Sequence, residues 1–139
     1  MTAITATRPV TITGRRIANV GLWTLQVVLA VTYAFAAIGK LSADPAAIAG
    51  FEAMGLGTAG MYIIGALELA GAIAMFVPRL TGLAAACFVA LMIGAVAFTL
   101  AVGGGATMIA FPATVGVVAA VVARGRREST RRLIAQLRR

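Results

Sequence analysis

The stretch that decides the fold is Tyr62-Ile-Ile-Gly-Ala-Leu-Glu68-Leu-Ala-Gly-Ala-Ile-Ala-Met-Phe-Val-Pro78-Arg79, an apolar run with one carboxylate at its middle. A helix of about 18 apolar residues matches the thickness of the hydrocarbon core of a bilayer. An acidic residue at the centre of such a helix costs about 2.5 to 3.5 kcal/mol, whereas each Leu, Ile or Val contributes roughly −0.5 kcal/mol, so the run can still insert. The sequence therefore predicts a membrane helix in which Glu68 needs a polar partner.

The composition of the whole chain is that of a membrane protein. Of its 139 residues, 61% are hydrophobic and 12% are charged, and the mean hydropathy is +1.00. Such a chain has too few polar residues to cover an apolar core with a polar surface. It contains no histidine and a single cysteine. We therefore expect neither a disulfide framework nor a histidine-based metal or haem site, and we predict no metal ligands.

Four apolar runs are long enough to cross a bilayer as helices. The first is longer than the apolar core of a signal peptide, which has about 7 to 15 residues, and more spans follow it, so we interpret it as a span. Pro78-Arg79 ends the second span, a triple glycine precedes the fourth, and Pro112 is expected to kink the fourth. The Thr- and Arg-containing segment 1–16 lacks an apolar period and is predicted to be a flexible tail. The membrane domain is residues 17–123, with spans at about 17–39, 60–77, 80–102 and 106–123.

A short helix is predicted between the first two spans. Asp44 can accept a backbone N–H as N-cap, Pro45 suits the first helical position, and Gly55 can close the end. About ten residues are too few to span a bilayer, so we place this helix at the membrane surface. Its apolar side is predicted to consist of Ile48, Phe51 and Met54.

The C-terminal segment 124–139 is strongly basic. Three apolar residues of this tail fall on one side of a helical wheel and four arginines on the opposite side. This pattern predicts a basic amphipathic helix on the membrane surface, where each arginine contributes about 1 kcal/mol of attraction to anionic lipids. No aromatic residue is interleaved for base stacking, so no nucleic-acid partner is expected. The apolar residues are Leu133, Ile134 and Leu137, and the arginines are Arg131, Arg132, Arg138 and Arg139.

The distribution of positive charge predicts the orientation. When four spans alternate in direction, every arginine falls on one side of the membrane and Lys40 alone on the other. Because loops rich in Lys and Arg stay on the cytoplasmic side, both termini are expected to be cytoplasmic. The overall prediction is an all-α, four-helix transmembrane bundle with an extracytoplasmic interfacial helix and a basic C-terminal tail helix.

Polar residues of the other spans that are expected at the same depth in the membrane as Glu68 predict a polar layer around it. A rise of about 1.5 Å per residue puts Thr32, Tyr33 and Thr114 near its level. A hydroxyl of Tyr33 or Thr114 is expected to donate to Glu68, and Glu68 and Tyr33 are the candidate catalytic residues. Lys40 could approach Glu68 from outside by reaching inward, although Glu52 is expected to be its nearer partner.

A second pattern lies on the third span, where Gly82, Ala86, Ala90 and Gly94 recur every four residues. Small residues at this spacing let a neighbouring helix approach closely. The sequence leaves open whether this stripe packs inside the bundle or forms the interface of a homo-oligomer.

Several of these motifs resemble those of a known family. Ala36-Ala-Ile-Gly39-Lys40-Leu41, the Glu68-Leu-Ala-Gly71 segment and Pro78-Arg79-Leu-Thr-Gly82 make residues 20–123 similar to the DoxX and DoxX-like family of four-helix membrane proteins. The resemblance implies a protein of the bacterial cytoplasmic membrane. Some members of the family are small subunits associated with quinone-linked sulfur oxidation or with thiol and superoxide defence, so the resemblance implies a role of this kind. It also implies that Lys40 and Glu68 occupy recurrent polar positions.

Three functions stay open at this point. The first is an accessory subunit of a membrane redox system, in which Glu68 organises the bundle and contacts a quinone, the one cofactor considered. The second is a proton-coupled transporter of lipophilic compounds, although small multidrug transporters carry their essential glutamate in the first helix. The third is a membrane enzyme acting on a lipophilic substrate, with Glu68 as general acid or base and Tyr33 nearby. The chain lacks a cysteine pair, which argues against thiol chemistry of its own.

Overall fold

The computed structural model describes residues 12–137, which form six helices and no strand. Four of these helices, α1, α3, α4 and α5, are long and apolar enough to cross a membrane. The predicted all-α class with four spans is therefore confirmed. The helices are α1 Ile12–Leu41, α2 Pro45–Ala53, α3 Gly57–Ala74, α4 Thr81–Ala101, α5 Ala106–Gly125 and α6 Arg127–Leu137.

Helix α1 is longer than the sequence indicated. Its 30 residues extend over about 45 Å, more than the roughly 30 Å of a bilayer's hydrocarbon core. Residues 12–16, which the sequence assigned to a flexible tail, lie within α1. The remainder of that predicted tail, residues 1–11, lies outside the described residues.

The turn between α3 and α4 is set by Pro78. Helix α3 ends at Ala74, three residues before the predicted end, because a proline ring clashes with the carbonyl four residues earlier and offers no N–H. Thr81 closes the turn by donating its hydroxyl to the carbonyls of Met75 at 3.2 Å and Val77 at 3.0 Å. Pro112, in contrast, lies inside α5, which continues to Gly125.

Helix α2 follows the capping residues predicted from the sequence. The Asp44 carboxylate accepts a hydrogen bond from the backbone N–H of Ala46 at 2.8 Å, and Pro45 is the first helical residue. Gly55 leaves the helix with a φ of +72°, a conformation that favours glycine. Phe51 is buried and α2 packs on α3, so this residue of the predicted apolar side faces the bundle. Met54, at the end of that side, is 37% exposed.

The bundle consists of two closely packed helix pairs, α1 with α3 and α4 with α5. Glycines on α3 let its neighbours approach. A Cβ on Gly71 would lie 2.6 Å from the ring of Phe88 on α4, and a Cβ on Gly65 would lie 3.0 Å from Cβ of Lys40 on α1. The core between the pairs is formed mainly by Leu29, Ala30, Tyr33, Ala72, Met75, Ala85, Phe88, Ala119 and Val122.

The predicted small-residue stripe of α4 is not the packing face of this helix within one chain. Ala86, Ala90 and Gly94 are exposed, and a Cβ on Gly94 would meet nothing within 4 Å. Gly82 alone is buried, and its backbone N–H donates to the Ser129 hydroxyl of α6 at 3.3 Å. Helix α6 thus folds back against the start of α4. It includes Arg131 and Arg132, whereas Arg138 and Arg139 lie outside the described residues.

Candidate functional site

Glu68 is paired with Lys40. The Lys40 ammonium group lies 2.8 Å from Oε2 of Glu68, and only 6% of the Glu68 side chain and 17% of the Lys40 side chain are exposed. Nζ of Lys40 also lies 3.4 Å from the carbonyl oxygen of Ala36, one turn earlier on α1. The lysine side chain therefore runs back along its own helix to reach the carboxylate, as the tilt of side chains towards a helix N-terminus favours.

The two charges meet because α1 and α3 approach each other closely near Gly65. This glycine lies less than one turn before Glu68, and a Cβ there would be within 3.4 Å of both Lys40 and Leu41. Glu52 on α2 is exposed and does not pair with Lys40, so the expectation that it is the nearer partner is wrong.

The predicted layer of hydroxyl groups around Glu68 is not formed. Thr32 donates its hydroxyl to the carbonyl of Val28, and Thr114 donates to that of Ala110, each at 2.8 Å within its own helix. Helix α5, which carries Thr114, does not approach α3 closely. Both hydroxyls are thus occupied by local bonds to the preceding turn, which is a common arrangement for threonine inside helices.

Tyr33 is buried beside this region but does not donate to Glu68. Its ring stacks on Phe88 with centroids 3.6 Å apart and an interplanar angle of 6°. The tyrosine hydroxyl is buried and has no hydrogen-bond partner among residues 12–137. The structure thus brings Lys40 to Glu68 and places Tyr33 in the core, while the hydroxyls of Thr32 and Thr114 bond within their own helices and not to Glu68.

A second buried polar cluster, absent from the sequence predictions, lies towards the other end of α1. Gln26 is 2% exposed and is bonded on both sides. Its amide nitrogen donates to the carbonyl of Met75 at 3.1 Å, and its amide oxygen accepts from Nε of Arg126 at 2.7 Å. The Arg126 guanidinium also lies 5.8 Å from the ring centroid of Trp23, within the range of a cation–π contact.

This cluster borders a cavity of about 650 Å³ between α1, the α3–α4 turn and α6. We call it the basic cavity because three arginines and one glutamate line it. Its lining consists of Asn19, Trp23, Gln26, Phe76, Pro78, Arg79, Thr81, Gly125, Arg126, Glu128, Ser129, Arg132 and Gln136.

One sequence signal could have indicated this second cluster. Gln26, Tyr33 and Lys40 are spaced by seven residues and therefore lie on one face of α1. Gln26 is an amide near the middle of the first apolar run, so it needs a partner for the same reason as Glu68. Nothing in the sequence distinguishes Arg126, its partner, from the neighbouring arginines.

Four apolar helices with a buried ion pair define a small polytopic membrane protein. Residues 24–122 match the DoxX-like family, so the match covers all of α3 and α4 and most of α1 and α5. The chain belongs to the DoxX-like family. No curated protein and no solved structure matches it significantly. Within residues 12–137, no three His, Cys, Asp or Glu residues are grouped as metal ligands would be.

Proposed function

We propose that this DoxX-like protein is an accessory subunit of a quinone- or thiol-linked redox system in a bacterial cytoplasmic membrane. In this role the chain supplies a membrane scaffold for a partner that carries out the chemistry. Family membership supports the proposal, because the resemblance implies that some members are such subunits. The observation that carries it is the pairing of Glu68 with Lys40.

Glu68 and Lys40 neutralise each other, and this argues for a structural role. A lone buried charge is costly, whereas a paired and hydrogen-bonded one is tolerated. The 2.8 Å contact joins α1 to α3 and occupies Oε2 of the carboxylate. General acid catalysis or proton-coupled transport would require Glu68 to take up a proton, and this would remove the negative charge that pairs with Lys40.

The proposed orientation has both termini in the cytoplasm. The arginines of α6 and the α3–α4 turn would then face the cytoplasm, and Lys40 would lie near the opposite surface. From there its side chain reaches inward to Glu68 while the aliphatic stem packs against α3. This arrangement would place Glu68 inside the bilayer without an uncompensated charge.

The ion pair makes a sharp test of the structural role. Lys40→Met or Glu68→Met alone should lower the free energy of unfolding by about 3 to 5 kcal/mol, because each leaves a buried charge without its partner. The double variant should recover most of that loss, since removing both charges avoids the unpaired state. Thermal unfolding in detergent, with Glu52→Gln as the control that removes an exposed carboxylate, measures these effects.

The same variants test the accessory role. Protein purified from native membranes under mild conditions should carry a redox partner protein or a quinone, identified by mass spectrometry. The variant with both Lys40→Met and Glu68→Met should retain that partner, because its stability is restored. If the double variant is stable but loses a pH-dependent transport or catalytic activity, Glu68 handles protons and the scaffold proposal is wrong. Purification of the wild-type protein with neither partner nor quinone would also contradict it.

A further inference from the structure

We propose that the basic cavity binds the phosphate group of an anionic phospholipid, with Arg126 as its principal ligand. This site is distinct from the Lys40–Glu68 pair, which lies near the other end of α1. The inference does not depend on the proposed redox role, because it follows from the geometry of Arg126 and its surroundings.

The Arg126 guanidinium is held in place on two sides. Gln26 accepts from Nε at 2.7 Å and is itself fixed by its bond to Met75, while Trp23 lies against the guanidinium. Nη2 is buried and has no hydrogen-bond partner among residues 12–137, so no described acceptor balances the positive charge on that side of the guanidinium. Arg126 also lines the basic cavity, and an anion there would lie beside this charge. A phosphate suits such a position, because arginine binds phosphate oxygens through charge-assisted hydrogen bonds.

The charge of the cavity favours an anion. Arg79 and Arg132 line it together with Arg126, and Glu128 is the acidic residue in its lining. The Glu128 side chain is 67% exposed and lies 3.7 Å from Arg131 on the solvent side of α6. It therefore neutralises Arg126 only weakly, because exposed charges are screened by water and salt. A volume of about 650 Å³ is large enough for a phospholipid headgroup.

The position of the cavity points to a lipid as the source of the phosphate. It lies at the ends of the apolar helices, and its lining includes Trp23 and Phe76, which are 41% and 52% exposed. Tryptophan is enriched at the headgroup level of membrane proteins. The exposed side chains of Val20 and Val27 continue from Trp23 along α1 and offer an apolar surface for an acyl chain. A free phosphate ion would use none of this surface.

Trp23 provides a direct measurement, because it is the single tryptophan of the chain. Its fluorescence is recorded while short-chain phosphatidylglycerol is titrated into the detergent-solubilised full-length protein. Short-chain phosphatidylcholine and inorganic phosphate are titrated in parallel. We expect a saturable change with phosphatidylglycerol. Phosphatidylcholine carries the same phosphate but adds a choline cation, which the arginines of the cavity repel, and inorganic phosphate lacks an acyl chain to pack beside Trp23. We therefore expect both to bind at least about tenfold more weakly, which corresponds to about 1.4 kcal/mol. Equal binding of phosphatidylcholine overturns the anion site, and equal binding of inorganic phosphate overturns the lipid assignment.

Matched arginine variants separate a defined site from general attraction to a basic surface. Arg126→Ala should weaken phosphatidylglycerol binding about tenfold or more, whereas Arg131→Ala, on the same helix but outside the cavity, should change it less than twofold. Co-purified lipid counted by native mass spectrometry is a second readout that does not depend on the Trp23 environment. Equal effects of the two variants overturn the proposal. If Arg126→Ala fails to fold, Arg79→Ala on the exposed turn replaces it. The proposed site is then overturned if Arg79→Ala weakens phosphatidylglycerol binding no more than Arg131→Ala does.

Discussion

Tyr33 and Gln26 show how differently two buried polar residues of α1 are satisfied. Both amide atoms of Gln26 are bonded across helices, whereas the Tyr33 hydroxyl is buried with no partner among the described residues. A buried hydroxyl without a hydrogen bond costs about 1 to 3 kcal/mol. The stacking of Tyr33 on Phe88 and the burial of its ring offset this cost. Tyr33 therefore contributes to the fold through its ring.

Replacing Tyr33 by phenylalanine should consequently leave the protein as stable or make it more stable. Tyr33→Phe keeps the stacked ring and removes the unsatisfied hydroxyl, so we expect the free energy of unfolding to rise by up to about 1 kcal/mol. Thermal unfolding in detergent measures the change. Tyr62→Phe, at a side chain that is 43% exposed, is the control and should have no effect. A clear loss of stability in Tyr33→Phe alone would mean that the hydroxyl does bond to a partner such as Glu68.

At this scale the sequence predicted which residue needs a partner but not which residue provides it. An apolar run with a central carboxylate requires a polar contact whatever the fold. The choice of Lys40 depends on its side chain turning back along α1 and on Gly65 allowing the helices to meet. Gln26 and Arg126 are separated by 100 residues, so their contact arises only from the tertiary arrangement.

At the level of helices, local signals were more reliable than packing patterns. The start and end of α2 followed Asp44, Pro45 and Gly55, because caps and turns act on the neighbouring backbone. The stripe on α4 was less informative, since small residues permit a close approach but do not determine which helix face is covered. The close approaches are provided instead by the glycines of α3, including Gly71, which faces Phe88.

Two glycine variants test this view of the helix contacts. Gly71→Ala should lower the free energy of unfolding by about 1 to 3 kcal/mol, because the new methyl group would lie 2.6 Å from the Phe88 ring and force repacking. Gly94→Ala is the matched control inside α4, where a Cβ meets nothing within 4 Å. It should be neutral or stabilise by about 0.5 to 1 kcal/mol, because alanine favours helix. Similar effects of both variants in thermal unfolding would contradict the assigned packing.

Across the whole molecule, α1 joins two polar centres that differ in charge balance. The Lys40–Glu68 pair is neutral, whereas the basic cavity carries more arginines than carboxylates. Between them, the bundle exterior exposes large apolar residues, including Phe35 at 79% and Phe111 at 66%. Such a surface is unfavourable in water and favourable in lipid. The asymmetry of charge between the ends is therefore the feature that should fix the orientation of the bundle in the membrane.

Cysteine labelling tests the proposed orientation. The native Cys87 is first replaced by alanine, and single cysteines are then introduced as Ser42→Cys, after α1, or Ala135→Cys, on α6; both positions are exposed. A membrane-impermeant maleimide added to intact spheroplasts should label position 42, because Lys40 and α2 are proposed to face outward. Position 135 should react only after the membrane is permeabilised, because the basic end is proposed to be retained in the cytoplasm. The reverse labelling pattern would place the arginines outside and would contradict the orientation argued from charge. The lipid-binding geometry of Arg126 would then have to be tested in the outer leaflet.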